Sequence, residues 1–265
     1  MMSVSKNITV MCMVAWAFVS LFHCTECTAQ DDHAEADSPI PSLEYGFESD
    51  LASKYLWRGL SFSDGVVSQN SLWLSAHGVT ASVWGNYDFR AATANPSLNE
   101  IDLGLSHSFE FKRLTLESSV QAFLYPDQPE SPWTSELAVT ILANLPYVQP
   151  FTTHNLDIKE YGGAYFGSAG IQAERSLGEM VTLDGSAQIG YGSAKYNSTY
   201  IGLDRAGFEF YEVTAGLTVY LSSTIYLRPH GGVSTLHIRD LDEWVESPTQ
   251  YQVGIAFGGE FAWAN

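Results

Sequence analysis

Carboxylates recur on the polar side of alternating apolar/polar runs along this chain: Glu44, Glu48, Glu100, Asp102, Glu117, Glu136, Asp184 and Glu212. Arg228 is the one basic residue expected in the middle of such a run on the same side. Carboxylates gathered in a confined, water-filled interior lower the electrostatic energy of a passing cation, so this set suits cation or cationic-solute selection; otherwise the acids pair internally or simply hydrate a filled barrel. Trp73 and Trp84 fall on the same side as diagonal neighbours of one hairpin. They would form either a stacking platform for a sugar or aromatic solute or packing that fills the interior. The pattern of an enzyme is missing, because no His-Glu-x-x-His, Gly-x-Ser-x-Gly or phosphate loop occurs. His230 with Ser234 or His237 is the pair to test for hydrolysis; the reading is a protein that is not an enzyme. No cofactor or metal is implied: the external run Asp240, Asp242, Glu243 and Glu246 could bind divalent cations that bridge lipopolysaccharide, but it lacks the calcium-loop pattern and reads as a solvated loop.

These side chains need elements that hold them on one face, and period-two alternation supplies it. Leu72, Leu74 and Ala76 alternate with Ser71, Trp73 and Ser75; Val79, Ala81, Val83, Gly85 and Tyr87 alternate with Thr80, Ser82, Trp84 and Asn86. A two-residue turn at His77-Gly78 pairs Ala76 with Val79, Leu74 with Ala81 and Leu72 with Val83, which puts every apolar side chain on one face. The pattern returns at Ile101 to His107, Leu114 to Leu124, Leu137 to Ala143, Val181 to Ile189, Val213 to Val219 and Tyr251 to Trp263. Weaker segments lie at 42–57, 147–157, 163–174 and 224–237, two of them holding Pro150 and Pro229. Twelve strands result. Short connections at 77–78, 110–113, 144–146, 175–178 and 221–223 alternate with longer ones at 58–66, 90–98, 126–133, 193–206 and 238–249, with 158–162 brief. Such alternation belongs to an antiparallel up-and-down transmembrane β-barrel.

The beginning of the chain differs. Lys6, an apolar run from Ile8 to Phe22 and the small-residue stretch Thr25 to Ala29 read as a signal peptide over 1–29; the run is shorter than the roughly 20 residues of a spanning helix. Residues 30–41 read as a disordered leader, and 42–265 as the barrel. Cys12, Cys24 and Cys27 all lie in the signal, so the exported chain would hold no thiol for a disulfide or a metal. The net charge of −18 makes nucleic acid an unsuitable partner.

A soluble β-sandwich also alternates, so the other face decides. Here it carries Ser, Thr, Gly, Asn and Gln with isolated acids, and charged residues make up 16% of the chain against the quarter usual for soluble domains. Aromatics gather at strand ends, at Tyr87, Phe89, Tyr125, Trp133, Tyr191, Phe261 and Trp263, as interfacial girdles would.

Residues 53–89 carry a more specific pattern: Ser-Lys-Tyr-Leu-Trp-Arg-Gly-Leu-Ser-Phe-Ser-Asp-Gly, then Gln69, then Val-Trp-Gly-Asn-Tyr-Asp-Phe. This resembles the TorF-like porins, the Gcw_chp family of bacterial outer-membrane proteins, at Tyr55, Arg58, Gly59, Ser61, Gln69, Trp84, Asn86, Asp88 and Phe89. Trp57 stands where the family has Phe, Val66 and Val67 stand in a region that often holds proline, and the chain ends on Asn265 rather than an aromatic. The resemblance implies a channel-like barrel in a Gram-negative outer membrane. Its partners would be membrane lipid, the barrel-assembly machinery and small solutes or ions. Arg58 and Asp88 are expected to form a salt bridge at the outer rim. The leading expectation is passive diffusion through an acid-lined lumen. The alternatives are a closed barrel with a structural or adhesive role and an exported soluble β-sandwich that binds carbohydrate.

Overall fold

The computed structural model describes residues 43–63, 65–89, 96–237 and 248–263. The expected signal, leader and acidic run at 240–246 lie outside these. Twelve strands close into one antiparallel barrel: β1 (Leu43–Ala52), β4 (Val67–Ala76), β5 (Val79–Asp88), β6 (Ser97–Phe111), β7 (Leu114–Leu124), β8 (Thr134–Ala143), β9 (Gln149–Asp157), β10 (Tyr165–Ser176), β11 (Val181–Gly192), β12 (Gly207–Tyr220), β13 (Ile225–Leu236) and β14 (Thr249–Trp263). Strands β2 (Tyr55–Trp57) and β3 (Leu60–Ser63) form a separate two-stranded sheet, and a helix α1 (Ala194–Tyr200) follows β11. Closure runs from Leu43↔Trp263 to Ala52↔Gly254 and leaves the described barrel wall without an open edge, which hydrocarbon would not tolerate. The sandwich alternative is therefore not what the chain forms.

Register follows the alternation. Ala76 pairs with Val79, Leu74 with Ala81 and Leu72 with Val83. The turn between them has His77 at φ 52 and Gly78 at φ 77, the doubly left-handed backbone whose twist suits a two-residue hairpin. Leu72, Leu103 and Leu105 are 58%, 49% and 50% exposed, so the apolar face points outward and the polar face inward. That inversion of a water-soluble protein is the surface a barrel turns to lipid. Exposed aromatics sit at both ends of the belt: Phe109, Phe111, Tyr147 and Trp263 by the short turns, Tyr87, Phe89, Trp133, Tyr191, Tyr211 and Tyr251 by the long connections. Tyr125 departs from the expected girdle and is buried inside with Phe123. Pro229 has no N–H to offer. The β12–β13 pairing stops at Gly216↔His230 and resumes at Val219↔Leu227, leaving Pro229 in the gap.

Two features depart from expectation. The first segment was read as one strand over 42–57, but β1 ends at Ala52. There the Ser53 N–H donates to the Val253 carbonyl, and the Val253 N–H donates to Ser53 Oγ. The chain then leaves the wall and folds inward, and Tyr55 and Trp57 are buried inside the barrel at 2% and 1% exposure. Ala52 and Val67 remain direct partners, so residues 53–66 are an excursion between two adjoining strands. The second is α1, in a stretch expected to be a plain loop. Ser193 caps it by accepting from the Tyr196 N–H, and Tyr196 and Tyr200 share one face at a spacing of four.

Candidate functional site: the barrel lumen

At the long-connection end the lumen is occupied. The β2–β3 hairpin inserts Tyr55, Trp57 and Phe62, and α1 adds Tyr196 and Tyr200, against Trp84, Phe123, Tyr125, Phe166 and Phe210 from the wall. Tyr55–Trp84 at 5.6 Å and Phe166–Tyr196 at 5.0 Å between centroids are tilted, Trp57–Tyr200 at 5.8 Å is edge to face, and Phe166–Phe210 at 6.0 Å is stacked.

The tip of the hairpin is Arg58-Gly59, with φ 45 and 84. Such a turn favours Asn or Asp before Gly, and a left-handed arginine costs roughly 1 kcal/mol of backbone strain. The side chain accounts for the choice. Arg58 donates from both terminal nitrogens to Glu136, at 3.1 and 2.7 Å, and its guanidinium lies 4.1 Å from the Trp57 ring, 4.3 Å from Phe166 and 5.6 Å from Tyr196. Burial works against the charge, but Glu136 outweighs it and the guanidinium is held more firmly protonated than usual. Gly59 is equally constrained, since a Cβ there would come within 2.7 Å of Leu236 Cδ2 and 2.8 Å of Phe210 Cβ. The expected pairing of Arg58 with Asp88 is corrected: the hairpin crosses the lumen, so its tip meets β8 rather than the rim of β5.

Behind the hairpin the wall carries Glu100, Asp102 and Glu136, all buried. Gln121 donates to Asp102 at 3.0 Å, Gln69 to Asn86 at 3.3 Å and Asn86 to Asn99 at 2.8 Å. The Tyr55 phenol is pushed well above its ordinary range by burial first and then by Glu100 and Asp102. Asp157 Oδ1 closes the brief connection after β9 by accepting from the Lys159 and Tyr161 N–H groups, each at 2.9 Å.

Below the hairpin lies a cavity of about 260 Å³. Glu48, Asp50, Glu174, Asp184 and Glu212 line it, against Arg58, Arg228 and His230, with Trp84 on its wall. Arg228 donates twice to Asp184, at 3.1 and 2.6 Å; His230 meets Asp50 at 2.9 Å; Tyr226 donates to Glu48 at 2.8 Å and Gln188 to Glu212 at 2.7 Å. Three of these inward side chains lie flat because a glycine faces them on the next strand. A Cβ at Gly216 would come within 2.5 Å of Arg228, at Gly254 within 2.5 Å of His230, and at Gly258 would overlap the Tyr226 ring.

The residues singled out from sequence thus divide by depth. Glu48, Trp84, Asp184, Glu212 and Arg228 share the cavity, while Glu100, Asp102 and Glu136 stand behind the hairpin. Glu44 and Trp73 border a second space of about 200 Å³ at the short-turn end, and Glu117 accepts from Ser108 at 3.1 Å. Trp73 lies over Gly46 and Trp84 against Tyr55, so the two rings serve different neighbours. Of the residues quoted for the resemblance, Tyr55, Arg58, Gly59 and Ser61 lie on the hairpin, and Gln69, Trp84 and Asn86 on the wall beside its base. Asp88 is buried at the end of β5, and Phe89 packs edge to face on Tyr87 at 5.2 Å. Asp50 and Glu174 were missed, although Asp50 has the parity of Glu44 and Glu48 and would have been found by extending it two residues. His230 and Ser234 face inward four residues apart on β13, about 13 Å along a strand. That separation is too long for a nucleophile and its base, and His237 lies outward against Tyr211.

A barrel of this construction has known counterparts. The NanC porin structure superposes with a TM-score of 0.50 at 9% identity, over 81% of this chain and 98% of that one. The fold is that of an outer-membrane porin. An outer-membrane channel from Pseudomonas putida F1 (TM-score 0.49, 9% identity, 87% of this chain and 100% of that one) and the KdgM porin (0.48, 10%, 81% and 98%) resemble it to a similar degree. No family model matches the chain, and no curated protein matches it in sequence.

Proposed function

We propose that this protein is an outer-membrane channel of the TorF-like porin type, which passes small cations or cationic solutes passively and is stopped down at its long-connection end by the β2–β3 hairpin. The observation that carries this reading is the charge balance of the cavity. Five carboxylates face it, against two arginines and one histidine. Arg58 is already neutralised by Glu136 and Arg228 by Asp184, so the remaining acids set a negative potential. The apolar outer belt and polar interior support membrane insertion, for which a signal peptide over 1–29 and recognition by the assembly machinery through Phe261 or Trp263 are part of the proposal. Heat-modifiable migration together with carbonate-resistant membrane association checks that placement. Reversal potentials in planar bilayers under a potassium chloride gradient test the selectivity: cation preference is expected, and anion preference overturns it.

A second reading is a closed barrel with a structural or adhesive role. It is favoured by the density of the plug, in which Tyr55 and Trp57 are 2% and 1% exposed. Complete absence of single-channel conductance, in the native chain and in a chain without the hairpin, selects it.

A further inference from the structure

The environment of Arg58 has the makings of a ligand site. A guanidinium is clasped by a buried carboxylate in a two-pronged hydrogen bond and flanked by aromatic faces, which is how a protein recognises an organic cation. Of the groups around it, Glu136 on β8, Phe166 on β10 and Tyr196 on α1 lie outside the hairpin, while Trp57 moves with it. The group received belongs to a small sheet of its own, which shares no ladder with the wall. Arg58 also lines the 260 Å³ cavity, so a vacated clasp would open onto the lumen.

We propose that Glu136, Phe166 and Tyr196 form a binding site for the guanidinium or amine head of a cationic solute, and that Arg58 fills this site as a tethered stand-in until the hairpin is displaced. The site selects cations because Glu136 without Arg58 is a buried carboxylate facing Asp157 on the next strand, with Asp102 linked to the neighbouring Gln121, and a neutral or anionic occupant leaves that charge uncompensated. It prefers guanidinium over ammonium because two parallel donors match the carboxylate and a planar cation matches the rings. Displacement leaves the barrel whole, since Ala52 and Val67 stay paired beneath the excursion. The proposal takes from the channel reading only the route by which solute arrives.

Binding is tested without conductance, by titrating L-arginine methyl ester into the detergent-solubilised barrel and following heat by calorimetry. Three proteins are compared: the native chain, R58A, and a chain with residues 54–65 replaced by Gly-Ser. Both altered chains are expected to bind the ester at least tenfold more tightly than the native one, which must first release its own arginine. E136Q on either background is expected to remove that binding, and L-glutamate and glucose to give none. Equal affinity in all three chains, or binding indifferent to E136Q, overturns the proposal. Heat-modifiable migration checks that each barrel is assembled. Should neither altered chain assemble, the native chain decides: the ester must shift tryptophan emission to the red as Trp57 leaves its cluster, and an unchanged spectrum overturns the proposal. A chain that binds the ester yet conducts nothing removes the channel reading and leaves the site standing.

Discussion

Two hairpin tips in this molecule share a backbone and nothing else. His77-Gly78 has φ 52 and 77, Arg58-Gly59 has φ 45 and 84, and each closes two antiparallel strands with a pair of left-handed residues. The first is exposed at the rim and joins two wall strands; the second is buried in the lumen and joins two strands that the wall does not need. The turn geometry therefore fixes only how the chain reverses. What the reversal is for depends on whether the side chain at its tip has a partner.

Breaking that partnership gives the largest difference. Glu136→Gln strands a buried guanidinium, and removal of one member of a buried pair costs about 3–5 kcal/mol. The hairpin should unseat, seen as rapid tryptic cleavage after Lys54 or Arg58 in an otherwise intact barrel; no change in cleavage would mean the aromatic cluster alone holds it. Gly59→Val and Gly78→Val each force a branched residue into the left-handed region at a cost of roughly 2 kcal/mol. A Cβ at Gly78 also meets the Ser108 carbonyl at 2.9 Å. The two should separate by observable: G78V lowers the urea midpoint of the whole barrel, whereas G59V raises only the rate of proteolysis. Equal midpoints lost in both would make the hairpin part of one cooperative unit with the wall. Arg58→Lys keeps the charge but loses the fork, worth about 1 kcal/mol, and should speed cleavage roughly fivefold. The smallest effect is a gain: His77→Asn installs the preferred turn pair and should stabilise the barrel by about 0.5 kcal/mol, while Arg58→Asn, equally suited to its turn, should loosen the hairpin.

The wall was legible in the sequence because each of its strands obeys one local rule. Alternation told which side of Leu72 or Glu100 meets which medium, and the two-residue turn at His77-Gly78 fixed the register of its neighbours. The hairpin obeys a different rule. Its alternation continues that of β1, so 42–57 reads as one strand, and Arg58-Gly59 lacks the Asn or Asp that would announce a reversal. Helix α1 is too short for a hydrophobic period, although Ser193 ahead of Tyr196 and Tyr200 was a signal available to be read. The site was legible to the level of facing. Parity assigns Glu48, Asp184 and Glu212 to one side of their strands; it says nothing about depth. Arg58 meets Glu136 across 78 residues of chain because a hairpin spans the lumen, and proximity to Asp88 in sequence was a poor guide to that.

Among the inward residues, those without side chains set the shape of the lumen. Arg228, His230 and Tyr226 recline on Gly216, Gly254 and Gly258 instead of projecting toward the barrel axis. The bore of the barrel is thus written in absent atoms on one arc of its wall. Adding a single methyl group at any of these positions would tip a long polar side chain toward the barrel axis, so the free width of the lumen is adjustable by mutations that leave its charge unchanged.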